Sequence, residues 1–197
     1  MRVFWGMAVL CVSLSGCGLL GGGEEPNVSF RGTLRAESME PTLRSGDKVV
    51  AHEAGADGPR SGDVVVYRDP GGWLGLDKDD GSLVHRVIGV PGDTLTCCDA
   101  RGRLAVNGKA LDEPYIASEP GACNAALLDL WAVRPGTAIA GECRWTVGPA
   151  PADRIFVLGD NRGHSADSRA HLCPAAQECP DGPWVPVDLV RGVVELP

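Results

Sequence analysis

Short apolar runs broken by turn residues set the main constraint on how this chain folds. β-Branched stretches such as GDVVVY and RIFVL are only a few residues long, and turn sequences such as Gly-Asp, Pro-Gly-Asp and Asn-Gly separate such runs. The 27 glycines and 15 prolines leave little room for long helices. At 197 residues the chain suits one domain with its own core. We therefore expect a mostly β fold of short antiparallel strands.

The turn signals also place the predicted strands along the chain. RGTLRAESMEPTLRSGDKVVAHE predicts a strand, a turn that contains Ser38, and a second strand. SGDVVVYRDP predicts another strand, and SLVHRVIGVPGDTLTCC predicts two strands around a Pro-Gly-Asp turn, with His85 inside the first. Asn107-Gly108 is the strongest hairpin signal in the chain. RIFVL predicts one further strand, and VPVDLVRGVVEL predicts a closing strand pair.

The N-terminus has the composition of an export segment. Met1-Arg2 gives a positive start, and the apolar run VFWGMAVLCVSLS follows it. LSGC, which ends at Cys17, resembles the lipobox of bacterial lipoproteins, in which the peptide is cut before a lipidated cysteine. The alternative is an uncleaved anchor over Val3 to Leu20, which barely spans a hydrocarbon core of about 30 Å. Both interpretations predict a signal or anchor over 1–23, a linker over 24–30 and a domain over 31–197, tethered outside the cytoplasmic membrane.

Cysteine usage agrees with export. Of the eight cysteines, two lie in the N-terminal segment, and the others form an even set suited to an oxidising compartment: Cys97, Cys98, Cys123, Cys143, Cys173 and Cys179. Disulfides are the expected use, and Cys173 with Cys179 is favoured as a local pair. Residues 117–151 lack regular strand signals and contain two of these cysteines. They predict an insertion stapled by disulfides.

Charge and ligand patterns argue against two classes of partner. The net charge is −8, and scattered Lys and Arg residues form no basic stripe that would bind nucleic acid. No pair of CxxC sequences faces a histidine cluster at zinc-like spacing, so neither a metal nor a cofactor is expected.

Three places in the chain carry polar side chains that could do chemistry: a loop after a strand, a turn, and the interior of a strand. GDNRGHSADSR, residues 159–169, follows RIFVL directly, and a solvated loop is its simplest interpretation. Ser38, in SMEPTL, lies in a turn that either is structural or exposes a nucleophilic hydroxyl. His85 lies between β-branched residues, where a hydrogen-bonded core histidine is the alternative to a catalytic base. Taken singly, none of these segments identifies a function.

Taken together and in order, SMEPTL, HRVIGVPGD and GDNRGHSADSR resemble the signature boxes of type I signal peptidases, the membrane-bound serine endopeptidases that remove signal peptides from exported precursors. The resemblance covers roughly Leu34 to Glu195. CCDARGRLAVNGKALDEPY is also similar to members from high-GC Gram-positive bacteria. The resemblance implies a type I signal peptidase-like β fold, a serine nucleophile with a single base, and precursor substrates with small residues at the positions one and three before the cut.

Matched to these boxes, Ser38 takes the position of the nucleophile, and its backbone N–H would help to form the oxyanion hole. His85 stands where most bacterial members have a lysine base, although members from archaea and the eukaryotic reticulum have histidine there. A buried lysine needs a pKa shift worth about 4 kcal/mol to be neutral near pH 7, whereas histidine is mostly neutral already. The unperturbed imidazole predicts activity that rises through a pKa of about 6 to 7.

The polar cluster at 159–169 supplies the supporting roles that the resemblance implies. Ser165 matches the residue that holds the base in bacterial members. The imidazole needs a partner on its second nitrogen, and the candidates are Asp160 and Asp167, with Arg169 keeping one carboxylate ionised.

Departures from the family pattern keep other functions open. Ala36 has no hydroxyl where some members use an extra oxyanion donor, and Gly163-His164 replaces the usual Asp-Asn. His164 and His171 are alternative bases, although solvated loop histidines are the simpler interpretation. The competing hypotheses are a dedicated processing protease and an inactive lipoprotein binding module. A self-cleaving regulator conflicts with the export segment.

Overall fold

A computed structural model describes residues 27–74, 81–99, 102–116, 145–172 and 182–197. Within these ranges eleven strands form two antiparallel sheets. The strands are β1 (Val28–Thr33), β2 (Lys48–His52), β3 (Val64–Arg68), β4 (Ser82–Gly89), β5 (Leu95–Cys97), β6 (Ala105–Val106), β7 (Lys109–Ala110), β8 (Trp145–Val147), β9 (Arg154–Leu158), β10 (Val185–Pro186) and β11 (Val190–Val194). Two short 3-10 helices cover Ser168–His171 and Val187–Leu189. The expected mostly β antiparallel fold is confirmed.

The larger sheet has seven strands in the order β1-β2-β11-β3-β4-β9-β10, and the smaller sheet has four in the order β7-β6-β5-β8. Strand β4 lies inside the larger sheet, between β3 and β9. Every residue of β4 after Ser82 is buried. Its near-continuous apolar sequence follows from this position, because a strand covered on both faces has no solvent side.

The register of β3 against β4 fixes the environment of the central histidine. Val65 pairs with His85, and Tyr67 pairs with Leu83. Since side chains alternate between the faces of a sheet, Val65, Tyr67 and His85 share one face. On that face Tyr67 is the diagonal neighbour of His85, and it packs in the same apolar cluster as Val65, Leu83 and Val87.

The predicted hairpin at Asn107-Gly108 is confirmed. The two residues have φ values of 52° and 77°, which is the left-handed conformation that a two-residue turn of this type needs at both positions. They connect β6 with β7.

The structure differs from the sequence predictions at two boundaries and in the pairing of the last strands. Strand β1 begins at Val28, inside the predicted linker, because it pairs with β2 from that residue. Strand β8 occupies the end of the predicted insertion, where it pairs with β5. The closing strands are present but do not pair with each other, since β10 joins β9 while β11 lies between β2 and β3.

The remaining predictions of domain organisation fall partly outside the described residues. The segment 1–23, most of the insertion, and the cysteines 123, 143, 173 and 179 lie there. Within the described part of the chain, Cys97 and Cys98 form a disulfide between sequence neighbours, which the sequence reasoning did not predict. No helix in that part is both long enough and apolar enough to cross a bilayer.

Candidate active site

Ser38 lies in a turn between β1 and β2, with 8% of its surface exposed. The turn is held from outside by Asn161, whose backbone N–H donates to the Ser38 carbonyl at 2.9 Å and whose side-chain amide donates to the Glu37 carbonyl at 3.1 Å. Among the described residues, neither the hydroxyl nor the N–H of Ser38 has a hydrogen-bond partner. A serine hydroxyl and an adjacent backbone donor are therefore both available to a ligand.

Gly159 joins this turn to the polar cluster. A Cβ at Gly159 would stand 2.4 Å from the Ser38 carbonyl oxygen and 2.2 Å from the Ser165 hydroxyl oxygen. No side chain fits in that space, so the absence of a Cβ lets the Ser38 carbonyl and the Ser165 hydroxyl approach the same side of Gly159. This contact brings together two segments that are distant in sequence.

Both ring nitrogens of His85 have partners. Nδ1 lies 2.7 Å from the Tyr67 hydroxyl, and Nε2 lies 3.3 Å from the Ser165 hydroxyl. Ser165 and the Ser38 turn both pack against Gly159. Nε2, which contacts Ser165, is therefore the ring nitrogen on the side of Ser38. Only 2% of the histidine is exposed. Because the Ser165 hydrogen points to Asp167, the Ser165 oxygen can only accept from Nε2, which it does when that nitrogen is protonated.

Burial controls the protonation of His85. The net effect of its surroundings lowers the pKa of His85 from 6.5 to about 4, and burial is the largest cause. The charge of Asp167 opposes this shift, the charge of Arg169 adds to it, and the charge of Asp160 opposes it less strongly. The imidazole is therefore neutral across the pH range in which most enzymes work. This corrects the expectation of a pKa of about 6 to 7, which assumed an unperturbed ring.

Asp167 is tied to the histidine through Ser165. The Ser165 hydroxyl donates to Asp167 at 2.7 Å, and Arg169 holds the same carboxylate with two side-chain contacts of 2.8 and 2.9 Å. Burial by itself would raise the pKa of Asp167, but the charge and hydrogen bonds of Arg169 hold it below its usual value. The expected pairing of Arg169 with an aspartate is present, and this aspartate reaches the ring through a serine.

Asp160 has a different position from the one expected. Instead of contacting the His85 ring, its carboxylate accepts two hydrogen bonds from Arg86, at 2.6 and 2.9 Å, and one from Thr42. Arg86 follows His85 on β4, so its side chain emerges on the opposite face of the sheet. The bidentate pair links β4 to the segment after β9, and the hydrogen bond from Thr42 joins Asp160 to the turn that contains Ser38.

The other candidate residues lie apart from the His85 nitrogens. His164 is exposed, and its ring contacts Asn161 at 3.3 Å. His171 stacks on Trp73, with ring centroids 4.2 Å apart. Ala36 is exposed. Within the described ranges, no group of three or more His, Cys, Asp or Glu residues is arranged to hold a metal ion.

Sequence reasoning missed Tyr67, Arg86, Thr42 and Gly159. Two of them carried a usable signal. Tyr67 stands two residues after Val65 on a predicted strand, so both point to one face, and Arg86 is adjacent to the histidine in its box. Their partners depend on strand register and could not be assigned from spacing.

Comparison with known proteins places this chain in a family. The family model described as "Signal peptidase, peptidase S26" matches residues 28–197. The chain belongs to this signal peptidase family. Signal peptidase I of Mycobacterium tuberculosis (strain ATCC 25618 / H37Rv) is 33% identical over 204 residues, covering 83% of this chain and 62% of that protein. Signal peptidase IB of Staphylococcus aureus (strain COL) is 36% identical over 148 residues, covering 70% of this chain and 66% of that protein.

A solved signal peptidase I from Enterococcus faecalis V583 is also similar. It is 25% identical, with a TM-score of 0.43, and the match covers 68% of this chain and 95% of that one. This signal peptidase family member spans less than two thirds of the length of the curated relatives that it matches. The family resemblance that the three sequence boxes indicated is confirmed.

Proposed function

We propose that this chain is a membrane-tethered serine endopeptidase that removes signal peptides from exported precursor proteins, with Ser38 as nucleophile and His85 as general base. The observation that supports it best is the packing at Gly159, where the Ser38 backbone and the serine that contacts His85 Nε2 meet. A nucleophile, a neutral base and a free backbone donor then occupy one site, as acyl transfer requires.

The first half of the reaction acylates the enzyme. Ser38 Oγ attacks the carbonyl carbon of the scissile bond, and His85 Nε2 takes the hydroxyl proton. The Ser38 N–H, which has no partner among the described residues, donates to the oxyanion that forms. The imidazolium then gives its proton to the departing amine, and water repeats the sequence to release the signal peptide.

Two buried polar side chains, Ser165 and Asp167, lower the free-energy cost of the positive charge on the His85 imidazolium. Protonated Nε2 donates to Ser165, which donates to the carboxylate of Asp167. Arg169 keeps that carboxylate ionised. A negative charge is thus available to the imidazolium through one intervening hydroxyl, whereas in a Ser-His-Asp triad the aspartate contacts the ring directly.

The proposal extends to the parts of the chain that the structure does not describe. Residues 1–23 would tether the domain to the outer face of the cytoplasmic membrane, by a lipid on Cys17 or by an uncleaved segment. The segment 117–151 would be an insertion held by disulfides. Precursor proteins and the membrane are the partners, and nucleic acid is not.

Cleavage of purified precursors by the full chain in detergent micelles tests this function. The parent should cut after a small residue, as mass spectrometry of the products would show. Ser38→Ala should lower the rate by at least about 10³-fold, because the nucleophile is removed. Ser45→Ala is the matched control, since Ser45 is exposed in the same loop. Cutting by Ser38→Ala at the parent rate would exclude Ser38 as nucleophile.

A panel of unrelated precursors separates the alternatives. Cleavage of several supports the general role, and cleavage of a single one supports a dedicated processing protease. If none is cut, and Ser38→Ala changes no phenotype, the chain acts as an inactive binding module with the same fold.

A further inference from the structure

The Tyr67 hydroxyl, at 2.7 Å, is the only hydrogen-bond partner of His85 Nδ1 on the described part of the chain. Tyr67 is fully buried on the same face of the sheet as the histidine. The rings of Tyr67 and Trp73 pack edge to face, with the ring planes at 88° and the centroids 6.2 Å apart. The hydroxyl makes no other hydrogen bond among the described residues, so its contact with His85 is the only one that satisfies it there.

We propose that Tyr67 is the positioning residue of the catalytic histidine, and that its hydroxyl fixes the imidazole ring through Nδ1 so that Nε2 faces the Ser38 turn. This inference rests on the proposed function. In a Ser-His-Asp triad an aspartate makes the Nδ1 contact and also supplies charge. Here the two tasks are divided, since Tyr67 orients the ring and Asp167 supplies charge from the Nε2 side.

A hydroxyl suits the Nδ1 position because it can both donate and accept. Toward the neutral ring, Tyr67 either donates to an unprotonated Nδ1 or accepts from Nδ1–H. The form that takes the Ser38 proton has its hydrogen on Nδ1, and the imidazolium has hydrogens on both nitrogens. In both of these forms the Tyr67 oxygen accepts from Nδ1–H. One residue therefore holds the ring in every protonation state of the cycle.

The other charged groups near the His85 ring are held elsewhere, so Tyr67 is the residue that orients the ring at Nδ1. Asp167 and Arg169 lie behind Ser165 at the Nε2 end, and Asp160 is held by Arg86. Burial raises the pKa of Tyr67 well above its ordinary value, with smaller contributions from nearby carboxylates, so the phenol stays neutral at working pH. It orients the histidine without adding a buried charge.

The test compares Tyr67→Phe with the parent as full chains in detergent micelles. Phenylalanine keeps the ring in the core and removes only the hydroxyl. We expect kcat to fall about 10- to 100-fold, the value of a hydrogen bond to a group that becomes charged, with KM unchanged. Tyr115→Phe is the matched control, because it also removes a phenol that donates to a protein group, here Glu113 at 3.1 Å, and should keep the parent kcat.

A second readout does not depend on turnover. ¹⁵N NMR of the histidine side chains, with the His85 signals identified by their loss in His85→Gln, reports hydrogen bonding at Nδ1. The Nδ1 resonance should move in Tyr67→Phe and stay in place in Tyr115→Phe. A role in packing alone would leave it unchanged.

The outcomes separate this inference from the proposed function. If the parent cuts and Ser38→Ala does not, an unchanged kcat or an unmoved Nδ1 resonance in Tyr67→Phe overturns the role of Tyr67 alone. If the parent does not cut, or Ser38→Ala cuts equally well, the proposed function fails first. If Tyr67→Phe folds poorly, the parent still decides, because a His85 Nδ1 resonance equal to that of histidine in a short unstructured peptide overturns the contact.

Discussion

The acid limit of activity should lie well below the ordinary titration of histidine. Burial lowers the pKa of His85 to about 4, and the base must be neutral to accept the Ser38 proton. We therefore expect kcat/KM to rise with pH through a value near 4 and to be flat above about pH 5.5. The assay is cleavage of a peptide substrate without titratable side chains, by the full chain, across pH 3.5 to 9.

The size of the difference is large enough to measure at one pH. With a pKa of about 4, about 97% of His85 is neutral near pH 5.5, whereas with a pKa of 6.5 only about 9% would be. The two cases thus differ about tenfold in rate near pH 5.5, relative to the plateau. The lower pKa also makes His85 a weaker base, so the plateau itself should be modest.

The same shift makes folding stability depend on pH. Because the pKa of His85 is lower in the folded state, the unfolded chain takes up the proton first as the pH falls. Stability from this group is complete above pH 6.5 and is lost as the pH falls from 6.5 toward 4. The loss approaches about 3 kcal/mol, which urea unfolding at several pH values measures.

His85→Gln provides the control for the stability experiment. It keeps hydrogen-bonding groups in the site and removes the titration, while the other three histidines remain. As the pH falls from 6.5 toward 4, the unfolding free energy of the parent should decrease by about 3 kcal/mol more than that of the variant. An activity limb at pH 6 to 7, or an equal loss of stability in both proteins, would refute the buried, neutral base.

Two substitutions test how the site is held together. Gly159→Ala should lower kcat by about 100-fold, because its Cβ would stand 2.4 Å from the Ser38 carbonyl and displace the nucleophile. Gly55→Ala, with nothing within 4 Å, should match the parent in the same kinetic assay, and equal rates for both variants would contradict the packing argument. Arg169→Leu should cost about 3 to 5 kcal/mol in urea unfolding, because it leaves the buried charge of Asp167 unpaired. A loss below about 1 kcal/mol would show that this charge is compensated elsewhere.

Much of the fold was predictable because its signals are local. The apolar run in β3, the Pro-Gly-Asp turn after β4 and the hairpin at Asn107-Gly108 each depend on a few adjacent residues. The partners of the C-terminal strands were not predictable, since β11 enters the sheet between β2 and β3, which lie far earlier in the chain. Pairing across such separations is set by how the whole sheet closes over its core.

The features of the candidate site also fall into those that were predictable from the sequence and those that were not. The sequence by itself determined which chemical groups are present, because Ser38, His85 and the cluster at 159–169 stand in ordered boxes typical of one family. Only the tertiary structure decided that Asp160 binds Arg86 and that Tyr67 binds His85. These partners depend on strand register and on the sheet face to which each side chain points. The lowered pKa of the histidine has the same origin, because desolvation depends on everything that surrounds the ring and not on its neighbours in sequence.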